Sequence, residues 1–172
     1  MTVRVNKDAF NIREKLSELD YGHVPYDKMP PGSIIQVKKE SSNSSNQTPS
    51  GLSTWTDVNP TVTITPKRVS NLIIIETSVM CISQNNSYVG FRLLRDSTAI
   101  REWWGFNDTS SFTPFQGPGK HIDSPNTTSA VTYKYQIFVS SGTNTHFMWN
   151  YQGNTSSNSL RNAEVYAMEL VG

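Results

Sequence analysis

The chain has 172 residues, enough for one domain with a sizeable core and a small appendage, and too few to favour two full domains. Its 15 basic and 14 acidic residues give a net charge of +1, which argues against nucleic acid, a membrane surface or an acidic substrate as partner. Only 17% of the residues are charged, while Ser, Thr and Asn are abundant, as is typical of an all-β protein with polar turns.

Residues 1–31 are predicted to form an amphipathic helix followed by a connector. Asn6 can cap the start of the helix and Gly22 can end it, and the apolar stripe between them comprises Ala9, Ile12, Leu16 and Leu19. A helix of about three turns is marginal in water unless its stripe packs on something. The stripe therefore packs on the chain's own β-domain, or it attaches to another subunit or another protein. Three prolines between residues 25 and 31 predict a semi-rigid connector.

Residues 32–172 are predicted to form the second domain, built from short strands. These strands are expected at 33–40, 55–57, 61–65, 72–82, 88–95, 99–104, 130–140, 145–151 and 163–171. Residues 105–125 are expected to be a long loop or a broken strand. Many short strands joined by polar turns predict an antiparallel β-sandwich, most simply a jelly roll, preceded by the short N-terminal helix.

Residues 72–95 are predicted to be a hairpin at the centre of the core. Its first strand is continuously apolar from Leu72 to Ile75, which predicts burial on both faces. In its second strand Val89, Phe91 and Leu93 share one face. No apolar run approaches the ~18 residues of a membrane-spanning helix, so we expect no membrane insertion.

The sequence contains no recognised catalytic arrangement. A phosphate-binding glycine loop, a nucleophile elbow, a Cys-x-x-Cys pair and a His-Glu-x-x-His motif are all absent. Only His121 lies near another potential metal ligand, Asp123, and a solvated loop pair explains this spacing better than a metal site. The carboxylates that could pair in space are Glu102, Asp108, Asp123 and Glu164. Because nothing supports such a pairing, we expect a protein that is not an enzyme and that binds no cofactor or metal.

A group of aromatic residues is the most informative candidate site. Exposed aromatic rings beside Asn and Asp can stack on sugar faces while the polar groups bond the hydroxyls. Alternatively, the rings belong to the core or are covered by a neighbouring subunit. Trp103 and Trp104 point to opposite sides of one strand, so at least one of them is expected in the core. The candidate residues for ligand or subunit contact are Trp103, Trp104, Phe106, Asp108, Phe112 and Phe115.

Several blocks of sequence carry a resemblance to a known family. The N-terminal blocks are RVNKDAFNIREKLSEL at 4–19 and PPGSIIQV at 30–37. The later blocks are VTITP at 62–66, LIII at 72–75 and FRLLRDST at 91–98. Together they resemble the virion structural and tail-fibre-type proteins of marine tailed bacteriophages, especially those of cyanophages.

The resemblance implies a non-enzymatic virion component and a homotrimer of jelly-roll domains, similar to those of the tumour-necrosis-factor and complement-head type. Residues 1–31 would attach to other virion proteins, and residues 32–172 would face a host surface, with a surface glycan as one possible contact. The chain is short for a long fibre and lacks shaft repeats, which favours a short spike or a similar appendage. The alternative is a capsid-surface decoration protein that stabilises the head.

Overall fold

The computed structural model describes residues 25–42, 51–78, 80–83, 87–107, 113–117, 119–141, 146–147 and 163–172. These residues form one 3-10 turn, Tyr26–Lys28, and a series of strands. The strands are β1 (Ile34–Ser42), β2 (Trp55–Ile64), β3 (Leu72–Thr77), β4 (Met80–Ser83), β5 (Ser87–Arg95), β6 (Thr98–Asn107), β7 (Thr113–Gln116), β8 (Lys120–Asp123), β9 (Val131–Val139), β10 (His146–Phe147) and β11 (Ala163–Leu170). The predicted N-terminal helix, with Ala9, Ile12, Leu16 and Leu19, lies outside the described residues.

Two four-stranded antiparallel sheets form the sandwich. The back sheet has the order β1-β11-β3-β8, and the front sheet has the order β2-β9-β5-β6. A smaller sheet has the order β10-β4-β7, and in the chain β4 comes directly after β3 and β7 directly before β8. The chain passes repeatedly between the two large sheets and its first and last strands are neighbours, as expected for the interlocked Greek keys of a jelly roll. The predicted all-β antiparallel sandwich is therefore confirmed.

The core lies between the two large sheets and is built from alternate residues of their strands. In β9 every second side chain is buried, from Val131 through Tyr133, Tyr135 and Ile137 to Val139. The back sheet supplies the opposing layer, with Ile73 and Ile75 from β3 and small residues from β11. Each large apolar side chain removed from water in this way contributes about 1.5–3 kcal/mol. The alternation therefore fixes which residues of each strand face outward.

The hairpin predicted over residues 72–95 is wrong. β3 pairs with β11 and β8 in the back sheet, whereas β5 pairs with β9 and β6 in the front sheet. The first apolar run continues into β4, which pairs with β7 and β10, so the chain has left the back sheet before β5 begins. Leu72 and Ile74 are half-buried on the outer face rather than fully buried. The predicted burial of Val89, Phe91 and Leu93 is confirmed.

Two further predictions differ from the structure. The strands expected at 55–57 and 61–65 are one strand, β2, with a shift in its pairing register between Val58 and Val62. Pro60 breaks the pattern in sequence because it cannot donate a ladder hydrogen bond. Residues 105–125, expected to be a long loop or a broken strand, contain the end of β6 and the four-residue strands β7 and β8, so the long loop is wrong and the broken strand fits. Strands this short, one of them containing Pro114, are too brief to show a clear period of two.

A buried carboxylate joins the two sheets at one end of the sandwich. Asp123 of β8 accepts hydrogen bonds at 3.0 and 3.1 Å from Nη1 of Arg95 in β5, and one at 2.7 Å from the hydroxyl of Tyr133 in β9. Burial, followed by the bond to Asp123, raises the pKa of the Tyr133 phenol above its usual value of 10. Since β8 belongs to the back sheet, these bonds fix the relative positions of the two sheets.

A second buried carboxylate holds the end of β11. Glu169 accepts hydrogen bonds at 2.6 Å from the Asn71 amide side chain and at 2.6 Å from the backbone N–H of Lys67, and a further one from Nε2 of Gln36. The N–H of Gly172 donates to Oδ1 of Asn71 at 3.2 Å. The last strand is therefore pinned in the back sheet, as its alternating pattern predicted.

Candidate functional site

A rung of residues crosses the outer face of the front sheet, one from each strand. Trp55 of β2 is paired with Phe138 of β9, which is paired with Gly90 of β5, which is paired with Trp104 of β6. The three ring centroids lie 5.3–5.5 Å apart, with interplanar angles of 52–69°. These are the tilted and edge-to-face contacts that aromatic rings prefer. The rung is therefore one packed cluster rather than three separate rings.

Gly90 makes this cluster possible. A Cβ atom at this position would lie 2.9 Å from Cζ3 of Trp104 and 2.9 Å from Cη2 of Trp55, closer than packed carbon atoms approach. The absence of a side chain lets both indole rings lie over the backbone of β5, as glycine does where another group must approach a strand closely. Glycine is therefore required at this position by the packing of the two indole rings, and not by a turn of the backbone.

A second ring pair extends the cluster along the same face. Tyr88 and Phe106 are opposite each other on β5 and β6, with ring centroids 4.7 Å apart. Tyr88, Trp104 and Phe106 are 57%, 53% and 51% exposed to solvent. Large aromatic side chains are more often buried in a protein than left this exposed. We call the whole surface the aromatic face, and its members are Trp55, Tyr88, Trp104, Phe106 and Phe138.

A polar rung lies next to the aromatic rung. Its members, one from each strand, are Asp57, Gln136, Arg92 and Glu102. Nε of Arg92 donates to Oε1 of Gln136 at 2.6 Å, and Nε2 of Gln136 donates to Oδ1 of Asp57. Lys134, on the same face, donates to Oδ2 of Asp57 at 2.7 Å. Hydrogen bonds therefore connect the rung from Arg92 through Gln136 to Asp57, and Glu102 lies beside Arg92 on β6.

The two rungs are linked through Arg92. Its guanidinium carbon lies 4.4 Å from the centroid of the Trp55 ring, within the range of a cation–π contact. Burial alone would raise the pKa of the Asp57 carboxyl, but the hydrogen bonds from Lys134 and Gln136, together with both nearby positive charges, lower it below its usual 3.8. Asp57 is consequently ionised at neutral pH, and the stacked Arg92 has a fixed position.

The predicted site residues lie in different places. Trp104 and Phe106 are on the aromatic face, whereas Trp103 points to the other side of β6 and packs, half-buried, against the core. Trp103 is thus the tryptophan on the inner side of β6, although it packs against the core cluster without being fully buried in it. Phe115 belongs to β7, where the structure describes the backbone only. Asp108 and Phe112 lie outside the described residues.

Sequence reasoning missed Trp55, Phe138 and Tyr88, which complete the aromatic face. Each is an aromatic residue at an outward position of its strand. The residues on either side of Tyr88 and of Phe138 are buried, and Trp55 is two residues from the exposed Asp57, on the same side of β2. That signal identifies single exposed rings. Only the order β2-β9-β5-β6 shows that they meet.

Of the carboxylates that could have paired, the three that the structure describes are not brought together. Glu102 lies on the outer face of the front sheet, Asp123 is bonded to Arg95, and Glu164 is bonded to Lys39 and Tyr166 on the back sheet. Among the described residues, no three His, Cys, Asp or Glu side chains are close enough to hold a metal ion. In the same part of the chain no helix is long and apolar enough to cross a membrane.

The outer face of the back sheet carries a rung of a different kind. Its four members, one from each strand, are cross-strand neighbours in the order Val37 of β1, Met168 of β11, Ile74 of β3 and Ile122 of β8. We call this set the aliphatic rung. The rung beside it carries charges and comprises Lys39, Tyr166, Glu76 and Lys120. Val37 and Ile122, at the two ends of the aliphatic rung, are the most exposed members of that rung.

Comparison with known proteins gives little further information. No protein-family model and no curated protein matches the chain. Among solved structures, a chain from the structure of infectious bursal disease virus Gt strain is 14% identical, with a TM-score of 0.35 over 83% of this chain. The present chain spans only 37% of that chain. A TM-score this low does not define a shared fold, so that virus has no bearing on the proposals below.

Proposed function

We propose that this chain is a non-enzymatic virion structural protein, a short trimeric appendage of the tail-fibre or spike type. Its β-sandwich contacts the host surface through the aromatic face, and residues 1–31 attach it to other virion proteins. The resemblance of residues 4–19 and 30–37 to phage virion proteins supports the virion assignment. The exposure of the aromatic face is the observation that carries the contact role.

An exposed aromatic cluster on a sheet face is costly for a protein that has no use for it. Large rings in water lose the favourable free energy of burial, and contiguous exposed apolar patches commonly mark sites of interaction. The front sheet could hold its core with any outward residues, because the core is formed by the alternate positions. The five rings therefore support a role outside the fold.

Competition for adsorption tests the host contact. Purified full-length protein, added to host cells before the phage, should reduce phage adsorption. Trp104→Ala should compete poorly, because it removes the exposed ring in the middle of the aromatic face. Val69→Ala, which removes an equally exposed side chain from the turn between β2 and β3, is the matched control and should compete as well as the wild type. Equal competition by wild type and Trp104→Ala would contradict the proposal.

The aliphatic rung supports the proposed assembly with further copies of this chain. With strands about 4.8 Å apart and residues about 3.3 Å apart, the 27 residues of β1, β11, β3 and β8 give the back face a flat area of about 430 Å². This is about half of the roughly 800 Å² per partner that an interface of standard size buries. The rung is most exposed at its ends, as suits a contact in which the β8 edge of one copy meets the β1 edge of the next and closes a ring.

The alternative function is decoration of the capsid surface, where the chain would stabilise the head and contact no host. The aliphatic rung is the feature that favours it, since a decoration protein needs an apolar surface to seat on other virion proteins. Virions lacking the chain would then adsorb normally but lose stability to heating. Virions that stay stable but adsorb poorly would exclude this alternative.

A further inference from the structure

We propose that the aromatic face binds neutral hexopyranosides, with a sugar ring stacked on Trp104 and its hydroxyls bonded to the polar rung. This assignment names the chemistry of the proposed host contact and rests on it. It depends on three features of the front sheet: the exposed rings, the neighbouring hydrogen-bonding groups and the local balance of charge.

The shape of the aromatic rung suits one side of a sugar ring. A pyranose presents a face of C–H groups, and such a face packs on an aromatic ring while the hydroxyls at its rim stay hydrated or find partners. Trp104 is 53% exposed, yet its ring is held by Trp55 and Phe138 at 5.5 and 5.3 Å. A ring that is already fixed loses little conformational entropy when a ligand stacks on it.

The polar rung lies at the right distance for the hydroxyls. Residues two apart on one strand are about 6.6 Å apart, so Arg92 and Glu102 are one step along their strands from Gly90 and Trp104. A sugar centred over the aromatic rung can therefore reach guanidinium, amide and carboxylate groups at its edge. Hydroxyls both donate and accept hydrogen bonds, and this rung offers both kinds of partner.

The charges of this face favour a neutral ligand. Two positive side chains, Arg92 and Lys134, stand with two negative ones, Asp57 and Glu102, on adjacent outward positions. Asp57 already pairs with Lys134, and the guanidinium of Arg92 is stacked on Trp55. With no excess of positive charge, the surface lacks the field that would attract a uronate or a phosphate.

Binding of soluble polysaccharides to the full-length protein tests the proposal. We would titrate the protein with mannan, laminarin and galactan as neutral probes and with alginate as the acidic probe, following tryptophan fluorescence and calorimetric heat. We expect at least one neutral probe to bind and alginate not to bind. Trp104→Ala should weaken binding about tenfold, while Val69→Ala, which removes an equally exposed side chain from the turn between β2 and β3, leaves it unchanged.

Gly90→Ala provides a second variant that removes no side chain from the site. The added Cβ would meet both indole rings at 2.9 Å and push them from their positions. We expect this variant to remain folded by circular dichroism and to lose binding to the same degree as Trp104→Ala. Binding that survives both substitutions would overturn the proposal, because the ligand would then lie elsewhere.

The two proposals can fail separately. If no neutral polysaccharide binds, or only alginate binds, while adsorption still depends on Trp104, the sugar class is wrong and the host contact stands. If a neutral polysaccharide binds through Trp104 but Trp104→Ala competes for adsorption like the wild type, the host contact is wrong. In that case the aromatic face remains a saccharide site.

Discussion

The outer faces of the two sheets share one plan and differ in what they offer a partner. Each has an uncharged rung across four strands with a charged rung beside it. On the front sheet the uncharged rung consists of rings around Gly90, and hydrogen bonds join Arg92, Gln136 and Asp57 of the charged rung. On the back sheet the uncharged rung is aliphatic and its charges form separate pairs, Lys39 with Glu164 and Lys120 with Glu76.

This difference indicates how one sandwich can carry two roles. An aliphatic rung provides apolar contact area but no directional hydrogen bonds, and such area is enough to hold copies of a protein together. Aromatic rings beside fixed hydrogen-bond donors and acceptors provide both apolar contact area and directional hydrogen bonds. A ligand whose hydroxyls have a fixed arrangement requires both. Because the inward residues alone hold the core, the outward residues of each sheet are free to differ.

The largest expected effect comes from placing a charge in the aliphatic rung. Val37→Lys should convert the proposed trimer to monomer, because a lysine buried without a partner at the proposed interface costs several kcal/mol. The matched control is Val69→Lys, since Val69 is 54% exposed against 52% for Val37 but lies in a turn outside the rung. Sedimentation equilibrium should give a trimer for the control only. A trimer of Val37→Lys would remove the assembly role from this face.

A change in the shared core should affect neither face in particular. Tyr133→Phe should lower the free energy of unfolding by about 1–3 kcal/mol, because it leaves the buried carboxylate of Asp123 with one donor fewer. Tyr135→Phe should cost nothing or stabilise, because its buried hydroxyl has no hydrogen-bond partner within the described part of the chain. Urea denaturation measures both. An equal loss in the two variants would contradict this account of the core.

The same two tyrosines predict a loss of stability at alkaline pH. Burial raises the pKa of both phenols above 10, so the folded state keeps protons that the unfolded state releases. Their contribution is fully present below pH 10 and is lost as the pH rises above it. Unfolding curves collected from pH 8 to 12 should show this decline, and Tyr135→Phe should make it shallower. A decline of the same slope in that variant would contradict the prediction.

The smallest expected effect concerns the polar rung. Asp57→Asn keeps an oxygen that can accept from Gln136 but loses the charge that pairs with Lys134. Because this carboxylate is more than half exposed, we expect saccharide binding to weaken only about twofold to fivefold, or ~0.4–1 kcal/mol. Wild-type binding should decline as the pH falls below 3.8 and the lowered pKa of Asp57 is reached, and this decline should be smaller in the variant, which keeps only Glu102 as a carboxylate in the rung. An identical acid profile in both proteins would contradict the role of Asp57.

The sequence predicted what local patterns determine. Alternation in residues 61–65, 88–95 and 163–171 identified strands with one buried face, and it placed Trp103 and Trp104 on opposite sides of β6. It could not show that β3 and β5 lie in different sheets, because two apolar runs joined by a polar turn also describe a hairpin. It could not bring Trp55 next to Trp104, which are 49 positions apart, since that contact depends on the strand order.

The most direct test of the two-role account compares a lysine placed on each face. Ile122 and Trp104 are similarly exposed, at 56% and 53%, so Ile122→Lys and Trp104→Lys are a matched pair. Light scattering on the full-length proteins should give three times 19.3 kDa for the wild type and for Trp104→Lys, and a single chain for Ile122→Lys. A monomeric wild type, or a trimer lost in Trp104→Lys and kept in Ile122→Lys, would contradict the account.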